Sequence, residues 1–139
     1  MVFDFTITLD ADLQHLPELI PILLNVDSAD IVIGNRLHDM SKMPLQRKMS
    51  NSITSFLLSK KTGQKIIDSQ CGFRVYRTNI LDKILPNFQG FEAESEILVN
   101  AARHKFVIGF REILTIYGNE ESKMKPIQAI KGFIKVMFL

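Results

Sequence analysis

An alternating apolar run that ends in two carboxylates constrains this chain more than any other stretch. Val2, Phe3, Phe5, Ile7 and Leu9 are β-formers, and the run stops at Asp10-Ala11-Asp12. The pattern predicts a strand that delivers its acids at its C-terminal end, the edge at which open α/β sheets hold their ligands. Side chains at i and i+2 of an extended segment share a face, so Asp10 and Asp12 are placed to chelate one hard divalent cation together, and that cation would hold phosphate oxygens. Asp-x-Asp is also an ordinary solvated strand-end turn, and the pair by itself leaves both readings open. Pro17-Glu18 opens a helix over residues 17–24, with proline at an early helical position and an acid near the positive end of the dipole.

The remainder alternates between the two periods. Residues 29–34 read as a short buried strand, β-branched and closed by Gly34, with Asn35-Arg36 after it. From Pro44 the apolar residues Leu45, Met49, Ile53, Phe56 and Leu57 make one helical stripe, expected to face the core, and Thr62-Gly63 stops the helix. Residues 67–77 form a turn and a strand through Gly72-Phe73-Arg74. A helix over 79–85 is broken by Pro86 and Gly90. A further helix begins at Phe91 with Glu92, Glu94 and Glu96 in its first turns, where the dipole favours acids. Residues 106–117 are strand-like. Pro126 starts a last helix in which Ile127, Ile130, Phe133, Ile134, Met137 and Phe138 share a broad face flanked by Lys123, Lys125, Lys131 and Lys135, a pattern of an interfacial helix on an anionic membrane or of a helix packed on its own domain.

With 139 residues, 46% hydrophobic and 23% charged, the chain fits one domain with one core and contains no apolar run long enough to span a bilayer. No secretory signal pattern opens it, and the lone Cys71 fits a reducing compartment and reads as a small buried residue. The net charge of +2 hides a polarity: residues 1–40 hold seven acids against one arginine, and the rest sixteen Lys and Arg against eight acids. The front suits a cation and the remainder an anion. No aromatic-basic interleaving points to nucleic acid, and His15, His38 and His104 stand at spacings unrelated to a zinc site.

Three stretches resemble family 2 inverting glycosyltransferases, especially dolichyl- and polyprenyl-phosphate sugar synthases: Asp10-Ala11-Asp12-Leu13-Gln14-His15 with Pro17-Glu18, then Asp68 to Gly72-Phe73-Arg74, then Tyr117-Gly118 to Glu121-Ser122-Lys123-Met124. The resemblance implies an α/β fold, the C-terminal portion of a GT-A-like (Rossmann-like) domain with an incomplete mixed sheet flanked by helices. Residues 1–124 would be the partial catalytic domain, and 125–139 a C-terminal amphipathic helix on the membrane surface. It implies Mg²⁺ or Mn²⁺ bound through Asp12 with Asp10 and Gln14, with Asp12 and Glu94 as catalytic candidates. Arg36, Arg47 and Ser50 would hold the phosphate of a polyprenyl or dolichyl acceptor, Lys123 would close over the donor diphosphate, and Gly72, Phe73 and Arg74 would form a substrate loop.

The implied reaction is attack of a lipid phosphate oxygen on the anomeric carbon of a nucleotide-sugar donor, with inversion, at the cytoplasmic face of a membrane. The family's opening strand and its base- and ribose-gripping segments have no counterpart in this sequence. The resemblance therefore predicts that the chain alone, whether fragment, split subunit or remnant, binds nucleotide-sugar poorly and does not turn over. Transfer to a sugar hydroxyl and a non-catalytic interaction module remain alternatives, as does a haloacid-dehalogenase-like phosphatase, which would want a hydroxyl residue where Gln14 stands.

Overall fold

The computed structural model describes residues 2–37, 41–117 and 126–139. Their four strands form one mixed sheet in the order β1-β3-β2-β4, with β1 at Phe5–Thr8, β2 at Ile31–Asn35, β3 at Arg74–Arg77 and β4 at Ile108–Glu112. β3 is antiparallel to both neighbours, and Val75 faces Ile7 on one side and Val32 on the other. β2 and β4 are parallel, with Val32 opposite Gly109. A parallel pair needs a long crossover, and the chain between them holds α2 (Leu45–Thr62) and α4 (Phe91–Arg103). The sheet is mixed and flanked by helices, as expected. β2, the β-branched run, is buried along its whole length.

Two expected strands are shorter than their apolar patterns. The β1 ladder runs only from Phe5↔Arg77 to Thr8↔Arg74, and outside it Val2 is 93% and Phe3 64% exposed. β4 ends at Glu112, and residues 113–117 join other elements by single bonds, Ile113 N–H to Asn35 O and Ile116 N–H to Gln14 O. The helix expected over 17–24 is a 3₁₀ turn at Pro17–Leu19 followed by α1, Ile20–Leu23. The one expected over 79–85 is a 3₁₀ turn at Thr78–Ile80 followed by α3, Leu81–Ile84.

α2 overturns the expectation that its apolar stripe faces the core. Leu45, Met49, Ile53 and Phe56 are all more than half exposed, and the buried positions are Asn51, Ser55 and Leu58. The reason lies in the segment that α2 meets. Ser55 Oγ accepts from Ser69 N–H (3.0 Å), Ser59 Oγ accepts from Ile66 N–H (2.8 Å), and Asn51 Nδ2 donates to Asp68 (2.7 Å). Residues 66–69 would bury these polar groups unpaired, so the polar i, i+4, i+8 ladder turns inward. Gly63, at φ 70°, closes the helix as expected.

α5, Pro126–Met137, packs on α4 and α2, with Val136 buried and Phe133 and Met137 against the core. A Cβ on Gly132 would stand 2.7 Å from the Glu92 carboxylate, which fixes how closely α5 crosses α4. Its broad apolar face is therefore divided, and Ile127, Ile130 and Ile134 stay outside.

Candidate active site

Asp10 and Asp12 lie past the end of β1, on a bend in which Leu13 has φ 62°. The i, i+2 rule of extended chain therefore does not place them; local bonds do. Asp12 Oδ1 accepts from Gln14 N–H (3.0 Å), and Gln14 O accepts from Ile116 N–H (3.0 Å), which leaves Gln14 buried beneath residues 113–117. Thr8 Oγ1 donates to Gly72 O (3.0 Å) and ties the end of β1 to the loop before β3. Asp10 then lies against that loop. A Cβ on Gly72 would sit 2.6 Å from each Asp10 carboxylate oxygen, so only glycine leaves room for the carboxylate here.

His15, missed as a site residue, is buried under the same turn, with Nε2 3.9 Å from Asp10 Oδ2. Its ring packs on Phe73, centroids 5.4 Å apart, and Nδ1 has no partner. Burial, helped by the charge of Arg36, lowers its pKa and keeps the imidazole neutral.

Arg36 follows β2 and is clamped by Asp68, with Nε and Nη2 each 2.8 Å from a carboxylate oxygen and the Arg36 N–H 3.0 Å from Oδ2. Burial by itself would raise the Asp68 carboxyl, but the hydrogen bonds and charge of Arg36 outweigh it and hold the group below its ordinary range. Asn51 adds a further donor. The result is a buried, bidentate pair.

Arg74 is 1% exposed and has its donors turned inward. Nε donates to Cys71 O (2.8 Å), Nη2 to Ser69 O (2.9 Å) and to Glu94 Oε2 (3.2 Å), and Nη1 to Glu94 O (3.1 Å). The guanidinium therefore holds the 69–72 loop to the start of α4, with its described bonds all made within the protein. Phe73 is likewise wholly buried. Of that trio, Gly72 alone meets the site. Glu94 has a 40% exposed side chain and stands beside Arg74; burial raises its pKa, Arg74 opposes this, and Asp10 adds to it. Glu96 is buried instead, and its carboxylate accepts from Phe88 N–H (2.8 Å), which shapes the turn before α4.

Arg47 and Ser50 lie in the first two turns of α2, and Ser50 Oγ accepts from Gln70 Nε2 (3.1 Å). Lys123 and His38 lie outside the described residues. Burial pushes the Cys71 thiol up to about 12, which fits a packing residue and not a nucleophile.

The carboxylates fit a hard divalent cation. Asp10 is half exposed and lies where a Cβ on Gly72 would stand, and the oxygen donors of Asp10 and Asp12 suit Mg²⁺ or Mn²⁺. No set of three or more His, Cys, Asp or Glu converges among the described residues.

A family model described as Glycosyl transferase family 2 matches residues 4–85, more than half of the chain. A UDP-N-acetylglucosamine–dolichyl-phosphate N-acetylglucosaminyltransferase of Methanococcus voltae is 32% identical over 94% of this chain and 55% of its own length. An undecaprenyl-phosphate 4-deoxy-4-formamido-L-arabinose transferase of Sodalis glossinidius is 34% identical over 59% of the chain and 25% of its own length. Among solved structures, glucosyl-3-phosphoglycerate synthase of Mycobacterium tuberculosis, in complex with Mn²⁺, UDP and phosphoglyceric acid, superposes with a TM-score of 0.72 at 14% identity. That superposition covers 99% of this chain and 50% of the synthase, and it bears on the fold. The chain spans about half the length of the first of these relatives and of the synthase.

Proposed function

The chain belongs to glycosyl transferase family 2, and on that premise we propose that it carries the metal-motif and acceptor side of an inverting hexosyltransferase. The donor is a nucleotide-diphosphate sugar, the acceptor a polyprenyl or dolichyl phosphate, and the chain acts as part of a longer enzyme. The M. voltae and S. glossinidius relatives are both named as transferases with a polyprenyl-type phosphate, which supports this acceptor class.

In this reading Asp10 and Asp12, with Gln14, hold Mg²⁺ or Mn²⁺, which when bound neutralises charge on the leaving nucleoside diphosphate. The chain's own residues do the rest. Arg36, clamped by Asp68, offers a fixed cation to the acceptor phosphate, and Arg47 and Ser50 flank it from α2. Lys123 covers the donor diphosphate. A phosphate acceptor is ionised near neutral pH and needs no strong base, so Glu94 serves as a base only where the acceptor is a sugar hydroxyl.

The observation that carries the reading is the Asp10 carboxylate seated on Gly72 in the same site as the Arg36–Asp68 pair, whose charges act on the neighbouring Glu94 together with that of Asp10. Manganese titration of the 139-residue chain, followed by electron paramagnetic resonance, tests it, with calorimetry against inorganic pyrophosphate as the second arm. Metal-dependent binding that Asp12→Asn removes is expected. Absence of both signals would mean an inert module.

We assign membrane contact first to α2. Its outward stripe, its Arg47, Lys48, Lys60 and Lys61, and its lack of any acid suit an anionic lipid surface. α5, Pro126–Met137, adds the exposed Ile127, Ile130 and Ile134, which supports reading residues 125–139 as an amphipathic helix beside a partial catalytic domain of residues 1–124. No described helix is long and apolar enough to cross a membrane. We place this contact at the cytoplasmic face of a membrane.

A further inference from the structure

Tyr117 has no part in the site built so far, yet its hydroxyl is buried without a hydrogen-bond partner. Main-chain geometry ties it to the metal turn, because the preceding residue, Ile116, donates its N–H to Gln14 O (3.0 Å). The charged groups acting on the phenol come from three other elements: Arg36 after β2, Asp68 before β3, and Arg47 in the first turn of α2. Asp68 is already occupied by Arg36 and Asn51. The unmade phenolic bond is thus buried within reach of the charges of two arginines, one of them, Arg47, without an ion-pair partner among the described residues.

A buried donor without an acceptor is costly and uncommon, and it is explained where a ligand completes it. The missing partner must accept from O–H and be drawn by two arginines, which describes an anion with several oxygens. We propose that the Tyr117 hydroxyl donates to a phosphate oxygen of the substrate that lies between Arg36 and Arg47. The inference rests on the phosphate-handling role proposed above and gives a role to Tyr117, which opens the third resembling stretch but has no assigned part in it. A phosphate oxygen here belongs either to the lipid monophosphate or to the donor diphosphate. The chemistry is shared.

The test uses the full chain and Tyr117→Phe with two probes, farnesyl monophosphate and inorganic pyrophosphate with Mg²⁺, each measured by calorimetry. Loss of one hydrogen bond to a charged oxygen is expected to weaken binding about ten- to a hundredfold. The probe that weakens identifies the source, and weakening of both places Tyr117 between donor and acceptor. Because the hydroxyl has no partner within the protein, Tyr117→Phe should melt at the same temperature or higher. Equal binding by the two proteins overturns this inference alone, as does weaker binding accompanied by a lower melting temperature. Failure of the unaltered chain to bind either probe overturns the proposed function with it.

Discussion

At Gly72 the space that a methyl group needs is taken by the Asp10 carboxylate, the movable end of a half-exposed side chain. Gly72→Ala should therefore displace Asp10 and cost less than about 1 kcal/mol of stability, while Mn²⁺ affinity falls roughly ten- to a hundredfold, as when a ligand loses its support. Thermal melting and metal titration read the two separately. Asp68 behaves in the opposite way. Asp68→Asn leaves Arg36 buried without its countercharge and should cost about 3–5 kcal/mol in denaturant unfolding. The same pair sets an acid limit. The folded carboxyl lies below its unfolded value, so its stabilisation is complete above about pH 4 and is lost as pH falls through the folded pKa. Glu94→Gln keeps an acceptor for Arg74. In a complete enzyme with a phosphate acceptor it should change kcat less than about tenfold, whereas a loss of several orders of magnitude would point to a sugar hydroxyl acceptor.

Among the elements, α2 shows how a hydropathy pattern can be read correctly as a helix and wrongly as to its face. Its apolar stripe and its Asn51, Ser55, Ser59 ladder share the same helical period, and the composition of α2 does not say which one meets the core. The partner decides. Ser69 N–H and Ile66 N–H accept no substitute for Ser55 and Ser59 that lacks an oxygen, so the polar face goes in and the apolar stripe is left outside. Replacing Ile53 and Phe56 together by Asn should leave stability within about 1 kcal/mol, since both side chains are more than half exposed. The same change should reduce sedimentation with phosphatidylserine vesicles at least about tenfold, the expected effect of withdrawing two apolar side chains from lipid. Unchanged vesicle binding would move the contact to α5.

Across the whole molecule, the sheet gathers β1, β2 and β3 so that the Asp10–Asp12 turn, Arg36 and the 69–72 loop meet at one rim, although Asp10 and Asp68 stand 58 positions apart in sequence. Among the described residues β1 pairs on one side only, with β3. The chain spans 55% of the length of the M. voltae relative. We expect the isolated chain to bind Mn²⁺ but to transfer no sugar to polyprenyl phosphate, and to gain transfer when fused behind the nucleotide-binding half of a relative. Turnover by the 139-residue chain in a radiolabelled-sugar assay would sink that expectation.

The sequence by itself determined the α/β class and the order of the elements, because alternation, helical spacing and Pro or Gly breaks are local properties. It also singled out Asp10 and Gly72, which the fold brings together. Only the tertiary structure decided that Arg74 and Phe73 are internal supports, that His15 lies beneath Asp10 and that α2 turns its apolar side out. Those outcomes depend on which buried carbonyl, carboxylate or N–H must find a partner from a distant segment. Periodicity along one segment carries no record of that demand.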